Sequence, residues 1–442
     1  MEKKELLKNI ITTFQNEPLP MIIEREVELP IDSNGIISVI GSRRSGKTYL
    51  VLETIRKLTQ KGVSMEKVLY INFEDERLMD LQTSDLDLIL QAYREIYPDN
   101  KLSEVYIFLD EVQNITGWQK FVRRIHESVS KKVYITGSNS KLLSTEIATE
   151  LGGRTLTFEV FPLSFKEFLK FKNISTDLKA LYASSVKARV MNGLEEYLIY
   201  GGFPEVVERQ TNLKNKTLQE YLNVMISNDL VRRYDIKNLK SISFFVKQLI
   251  NSNTKEVSIN KIYNSFKSIG LKIGKNTLYD YFEYAQTIYL AFVLNKYVIS
   301  DRLREQTSRK VYAIDSGLYN SVNVKNFDDK SKLLENVIFL HLYKKTKEVF
   351  FYKDEYHECD FIICKSGKPV DAIQVCYSFE SDDTRKREVS GLVKACHALN
   401  IREGKIIKFE SSESIFNIDG IKISILSAPE YLLTDPFLKP FL

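Results

Sequence analysis

Gly41-Ser42-Arg43-Arg44-Ser45-Gly46-Lys47-Thr48 is the stretch whose reading decides the fold. It fits G-x-x-x-x-G-K-[ST] and lies in the context that pattern requires. The apolar run Ile36 to Ile40 reads as a buried strand before it, and Tyr49 to Leu58 reads as a helix after it. Glycines let the backbone curl until several N–H groups face one point. The helix that follows adds the partial positive charge of its N-terminus. A loop of this kind holds phosphate. Lys47 can reach the β- and γ-phosphates of a nucleotide, and the Thr48 hydroxyl can ligate Mg²⁺.

Outward from the loop, Val105 to Leu109 is a second continuous apolar run, and it ends in Asp110-Glu111. A parallel strand buried on both faces has this composition, and ligands bind at the C-terminal ends of such strands. Asp110 is expected to hold Mg²⁺, directly or through water, and Glu111 to polarise the attacking water. Further short strands are expected at 22–29, 68–73, 132–137 and 154–163, with helices at 3–16 and 85–97. Alternation of this kind gives a doubly wound parallel sheet.

The 442 residues are too many for one core. Four segments are expected: 1–163 as the nucleotide-binding α/β domain, 164–235 as a helical lid or linker, 236–325, and a last α/β segment, 326–442. In the third segment, a helix at 244–250 is followed by a short helix from Ser258 and a glycine turn at 269–274. A second helix opens at Lys275, and strands follow at 288–298 and 310–315. Helix, turn, helix and hairpin is the layout of a winged helix. Its second helix presents Lys272, Lys275, Asn276 and Tyr279 to DNA; the alternative is a packing module with solvated lysines. The last segment carries a helix at 333–343 containing Glu335. Strands follow at 349–352, 360–364, 371–377, 405–409 and 421–427, with a helix at 382–398.

A net charge of +5 permits nucleic-acid binding without arguing for it. The four cysteines form no C-x-x-C and are expected to be reduced thiols of a cytoplasmic protein. A zinc site from His357, Cys359 and Cys364 has poor spacing. The charged start leads into no apolar region, so no signal peptide is expected. No run of about 18 apolar residues occurs, so no membrane contact is expected.

Taken together, the chain resembles the prokaryotic predicted ATPases in which an AAA-type domain precedes a winged helix and a restriction-endonuclease-like domain. The matching stretches are Gly41 to Thr48, Leu109-Asp110-Glu111-Val112-Gln113, Thr136-Gly137-Ser138-Asn139-Ser140 and Gly152-Gly153-Arg154. Tyr200-Gly201-Gly202-Phe203-Pro204 and Ala313 to Leu318 match as well. The resemblance implies ATP with Mg²⁺ held by Gly41, Ser42, Arg43, Arg44, Ser45, Gly46, Lys47, Thr48 and Tyr49. Arg43 and Arg44 are structural or phosphate-adjacent. Ser138 or Asn139 becomes the polar sensor beside the acidic pair, and Arg154 an arginine finger or sensor, in cis or in trans. A trans finger requires a homo-oligomer.

For the last segment the resemblance implies an acidic helix residue, an Asp, and [Asp/Glu]-x-Lys around a metal. Glu335 and Asp360 fit the first two places, but the third reads Gln374-Val375-Cys376. An amide and a thiol replace a carboxylate and a lysine, so a degenerate, binding domain is expected. Lys365 or Lys368 migrating in has no support. The leading reading is an ATP-hydrolysing switch or motor with a DNA-binding C-terminal half. A nucleotide-sensing protein–protein scaffold comes second, and an ATP-dependent nuclease third.

Overall fold

The computed structural model describes residues 2–138, 149–298, 308–323, 330–379, 381–410 and 414–434. The chain divides into two compact units, Met1–Phe161 and Pro162–Leu442.

The first unit is a five-stranded sheet of β1 (Ile36–Gly41), β2 (Val68–Asn72), β3 (Tyr106–Asp110), β4 (Val133–Gly137) and β5 (Thr155–Val160). Every pairing is parallel and the order is β2–β3–β4–β1–β5. The three central strands are buried along their whole length, which is why their sequences are apolar without alternation. Because β4 lies between them, β1 and β3 run about 10 Å apart, and the phosphate loop after β1 and the acidic pair at the end of β3 reach toward each other across the end of β4. The helix α1 (Lys3–Asn16) precedes β1, and α2 (Lys47–Gln60) follows the loop. Leu50, Val51, Ile55 and Leu58 of α2 pack with Ile37, Val39 and Phe108 of the sheet. Helices α3 (Asp87–Ile96) and α4 (Trp118–Ser128) complete the described layers.

The expected strand at 22–29 does not form. The segment runs without a sheet partner over α2. Ile22 and Leu29 sink into the core, while Glu24 and Glu28 pair with Arg56 and Lys57 of α2 at 3.6 and 3.0 Å. Its alternation thus records a segment lying on a helix, apolar side down.

The second unit begins with the helices Phe165–Phe171, Ser184–Tyr200, Pro204–Glu208 and Thr211–Val224, the last running on through a wide-turned stretch to Arg232. The helix Leu239–Asn251, β6 (Glu256–Val257), the helices Ile259–Ser268 and Lys275–Thr287, then β7 (Ala291–Asn295) and β8 (Arg309–Ala313) come next. These three strands pair antiparallel in the order β6–β8–β7.

Helices Ser316–Val322 and Lys330–Lys345 lead to a six-stranded mixed sheet. Its strands are β9 (Val349–Lys353), β10 (Glu358–Lys365), β11 (Lys368–Cys376), β12 (Glu403–Lys408), β13 (Ser414–Ile418) and β14 (Ile421–Ser427), in the order β13–β14–β12–β11–β10–β9. The helix Asp382–Leu399 makes the crossover between the parallel strands β11 and β12. It lies tight on the sheet: a Cβ on Gly391 would come within 2.3 Å of the Glu358 carbonyl oxygen. The strand β13 is absent from the sequence reading.

The three segments expected after residue 163 pack as one unit, because buried polar bonds stitch them together. The Asp315 carboxylate accepts the Gly202 N–H at 2.7 Å and the Leu318 N–H at 3.1 Å, so Tyr200–Pro204 and Ala313–Leu318 form one knot. Gly201 is required there: it has φ +74°, and a Cβ would stand 1.8 Å from Asp315 Oδ1. Asn336 grips both backbone groups of Ala313, at 3.0 and 3.2 Å.

Candidate functional site

The phosphate loop leaves β1 at Gly41, where a Cβ would lie 2.0 Å from the Val160 carbonyl oxygen of β5. Only glycine lets the two backbones approach so closely. Arg44 and Gly46 both take the left-handed conformation, at φ 64° and 97°, and Gly46 caps α2. The Ser42 carbonyl accepts Ser45 Oγ at 2.9 Å and Lys47 Nζ at 3.1 Å, so the loop closes on itself. Arg25 braces it from behind, donating to the carbonyls of Ser45 at 2.9 Å and Phe161 at 2.8 Å. Arg43 turns aside to Glu74 at 2.6 Å, while Arg44 and Tyr49 are exposed.

Asp110 and Glu111 stand at the C-terminal end of β3, as expected. Asp110 is fully buried. Its Oδ2 accepts the hydroxyls of Thr48 at 2.8 Å and Tyr70 at 2.9 Å, and its Oδ1 accepts the hydroxyl of Thr136. Burial pushes its carboxyl above the usual range, and the hydroxyls pull it partly back. Glu111 sits at φ 52°, a strained conformation held because its N–H donates to Thr136 Oγ1 at 2.9 Å. Burial pushes the Glu111 carboxyl up. The Lys47 ammonium 3.2 Å away and the Gln113 amide more than offset this and hold it below the ordinary value. Glu111 is therefore ionised at neutral pH.

Lys47, Thr48, Asp110 and Glu111 thus form one hydrogen-bonded group spanning β1, β4 and β3. Tyr70 and Thr136 belong to it and went unread in the sequence: Thr136 lies inside a quoted motif, but the expected role fell on its neighbours. Ser138 is buried, with Gln113 Nε2 3.3 Å from its hydroxyl, while Asn139 lies outside the described residues. Arg154 is elsewhere. It precedes β5 at the N-terminal end of the sheet, about 17 Å of strand from the loop, and pairs with Glu127 at 2.7 Å. The structure does not bring Arg154 to the loop and the acidic pair.

The donor set fits nucleotide and Mg²⁺. Ser42 Oγ is buried with no hydrogen-bond partner among the described residues. The Thr48 hydroxyl and the Asp110 carboxylate are hard oxygen ligands side by side.

In the second unit, Lys272, Lys275, Asn276 and Tyr279 are exposed together at the turn and first helical turns of Lys275–Thr287. Lys267 and Lys275 lie 4.6 and 5.3 Å from the Tyr263 ring centre. Glu335, Asp360 and Gln374 do converge. They line a cavity of 620 Å³ together with Glu358, Glu388 and Arg387. Cys376 does not join them; its thiol turns to the Ser378 carbonyl at 2.9 Å, and burial pushes it up to about 11. Lys365 and Lys368 sit opposite each other at the β10–β11 hairpin, away from the cavity.

What sequence spacing missed is Lys310 of β8. Its buried ammonium lies 2.6 Å from Glu358, 3.2 Å from Asp360 and 3.5 Å from Glu335. Burial works against its charge, but these carboxylates hold its pKa well above the usual value. Burial and the Asp360 charge push Glu335 up to about 8, against the pull of Lys310. Among the described residues, no group of three or more His, Cys, Asp and Glu is arranged to hold a metal, and all four cysteines are buried and free.

The sheet and the loop define an AAA-type P-loop domain, and residues 33–169 match the AAA domain family AAA_14. Residues 191–330 match a domain of unknown function, DUF8612. Over 439 residues the chain is 35% identical to the uncharacterized protein MJ1544 of Methanocaldococcus jannaschii, covering 98% of this chain and 94% of that one. It is 30% identical to an uncharacterized protein of Haemophilus influenzae, covering 89% and 93%. The chain belongs to the family these two proteins represent. Among solved structures it is similar to the Walker-type ATPase PABY2304 of Pyrococcus abyssi, with a TM-score of 0.40 and 14% identity over 73% of this chain and 96% of that one. The Aeropyrum pernix ORC1 protein in complex with DNA gives 0.30 and 15%, over 74% and 93%. No described helix is long and apolar enough to cross a membrane.

Proposed function

We propose that this chain binds and hydrolyses Mg²⁺-ATP at the Gly41–Thr48 loop, as a switch or motor whose Pro162–Leu442 half binds DNA. The observation that carries the reading is the double bridge between loop and β3: Lys47 to Glu111 at 3.2 Å, and Thr48 to Asp110 at 2.8 Å. Lys47 and the loop N–H groups bind the phosphates, and Thr48 with Asp110 would hold Mg²⁺, which when bound neutralises charge on the phosphate oxygens. An arriving phosphate competes with Glu111 for the Lys47 ammonium. Glu111, ionised and held by Gln113, then orients a water and accepts its proton.

Nucleotide binding and turnover of two variants test this. Lys47→Ala should lose binding. Glu111→Gln should keep it and lose about 10²–10⁴ in rate. Hydrolysis by Glu111→Gln at the wild-type rate would refute the assignment of the base.

DNA binding is supported by the helix, strand, helix, helix, hairpin order of residues 239–313, the order of a winged helix, and by exposed Lys272 and Lys275 in the turn before and at the start of its third helix, Lys275–Thr287. Retention on DNA should weaken in Lys272→Glu with Lys275→Glu, and its salt slope should fall by about two. No retention by the wild type at low salt would favour the protein scaffold. The last sheet is proposed as a nuclease-like module without nuclease activity, since Gln374 and Cys376 replace a carboxylate and a lysine.

A further inference from the structure

A restriction-endonuclease-like module implies a divalent metal between its carboxylates, and the residues present do not fit one. The carboxylates converge on an ammonium instead. Lys310 reaches them from β8, across the small sheet, and its side chain is 3% exposed. An ammonium has three donors, and three carboxylates face it: Glu358 at 2.6 Å, Asp360 at 3.2 Å and Glu335 at 3.5 Å. The Phe351 ring lies 5.5 Å away and offers its face to the same charge.

Two further carboxylate oxygens are also engaged: Asp360 Oδ2 accepts the Val375 N–H at 3.0 Å, and Glu358 Oε2 faces Lys353 at 3.1 Å. The Tyr312 hydroxyl donates at 2.7 Å to Glu335 Oε1, the same oxygen that faces Lys310. Glu388, the next acid on the cavity wall, is taken by Gln374 at 2.5 Å and Arg387 at 2.7 Å. Positive charge is already supplied from within the protein: Lys310 faces Glu358, Asp360 and Glu335, and Lys353 faces Glu358. A buried carboxylate cluster that already holds an ammonium and is hydrogen-bonded has little electrostatic reason to take up a dication.

We infer that Lys310 is the resident cation of this site: its ammonium, tethered to β8, stands in for the divalent metal. The replacement comes from outside the motif, so neither Gln374 nor Cys376 reveals it. It has a structural consequence. The cation that would arrive from solvent is part of the fold, and it ties β8 to β10 and to the helix Lys330–Lys345.

This rests on reading the last sheet as a degenerate nuclease-like module, and the experiment separates the two. Mn²⁺ is the probe, with the full chain free of nucleotide and bound Mn²⁺ counted by the loss of the free-ion paramagnetic resonance signal. Lys310→Met leaves the carboxylates without their cation. It should bind one Mn²⁺ more per chain than the wild type, and adding Asp360→Asn should remove that ion. The gain should be at least about tenfold in affinity over any Asp360-dependent site in the wild type. Lys310→Met that folds and gains no Mn²⁺ overturns the inference. So does a wild-type chain that binds Mn²⁺ and loses it on Asp360→Asn, a comparison that stands even if Lys310→Met does not fold. DNA cleavage that Asp360→Ala abolishes would instead sink the degenerate reading itself.

Discussion

Thr136→Val is the change that most directly tests how the acidic pair is held. The substitution keeps the shape of the side chain and removes one hydroxyl. That hydroxyl donates to Asp110 and accepts the N–H of Glu111 at 2.9 Å. Loss of a hydrogen bond to a charged group costs about 1.5–3 kcal/mol, and an orphaned buried N–H about 1–3 kcal/mol. The sum is about 2.5–6 kcal/mol, which lowers the unfolding midpoint of the Met1–Phe161 unit by on the order of 10 °C. The pH dependence has a definite sign. Burial already raises Asp110 above its ordinary value, and Thr136 opposes the rise. A carboxyl raised in the folded state binds its proton better there than in the unfolded chain. Stability therefore falls as pH climbs from the unfolded value through the folded one, and is level beyond. Thr136→Val raises Asp110 further, so the decline should extend to higher pH than in the wild type. Urea unfolding from pH 4 to 8 reads both effects. A variant as stable as the wild type, with the same pH profile, would refute the account of how Asp110 and Glu111 are positioned.

Two further predictions lie away from the loop. If Arg154 acts in trans, Arg154→Ala should cut hydrolysis with little change in ATP affinity, and mixing it with Lys47→Ala chains should recover activity. No recovery, with a wild-type rate independent of protein concentration, would favour a monomeric switch. Burial pushes Asp315 up to about 6 despite the Gly202 and Leu318 N–H groups. The stability of the Pro162–Leu442 unit should therefore fall as pH rises from about 4 to about 6, by about 3 kcal/mol at most, and a profile flat across that window would show that Asp315 is not held as described.

Legibility followed the range of the forces involved. The parallel sheet could be read because a strand buried on both faces leaves an uninterrupted apolar run, and Ile36 to Ile40 and Val105 to Leu109 are such runs. Phosphate-loop residues could be read because their chemistry depends on neighbours within eight positions. The strand expected at 22–29 failed for the converse reason. Its alternation satisfies a sheet edge and a helix surface equally, and only the presence of α2 decides. Tyr70 and Thr136 became visible once β2 and β4 flanked β3, since nothing in a lone Tyr or Thr says which carboxylate it will meet. Lys310 is the extreme case. It precedes Asp360 by 50 residues and belongs to another sheet. Its role is set by Asn336 gripping Ala313, which brings β8 against the Lys330–Lys345 helix and carries Lys310 to Glu335 and Asp360. A lysine in a motif can be found by spacing; a lysine delivered by a second sheet can be found only by the fold. A carboxylate motif that has lost its lysine therefore says that this position no longer supplies a cation, and leaves open which element does.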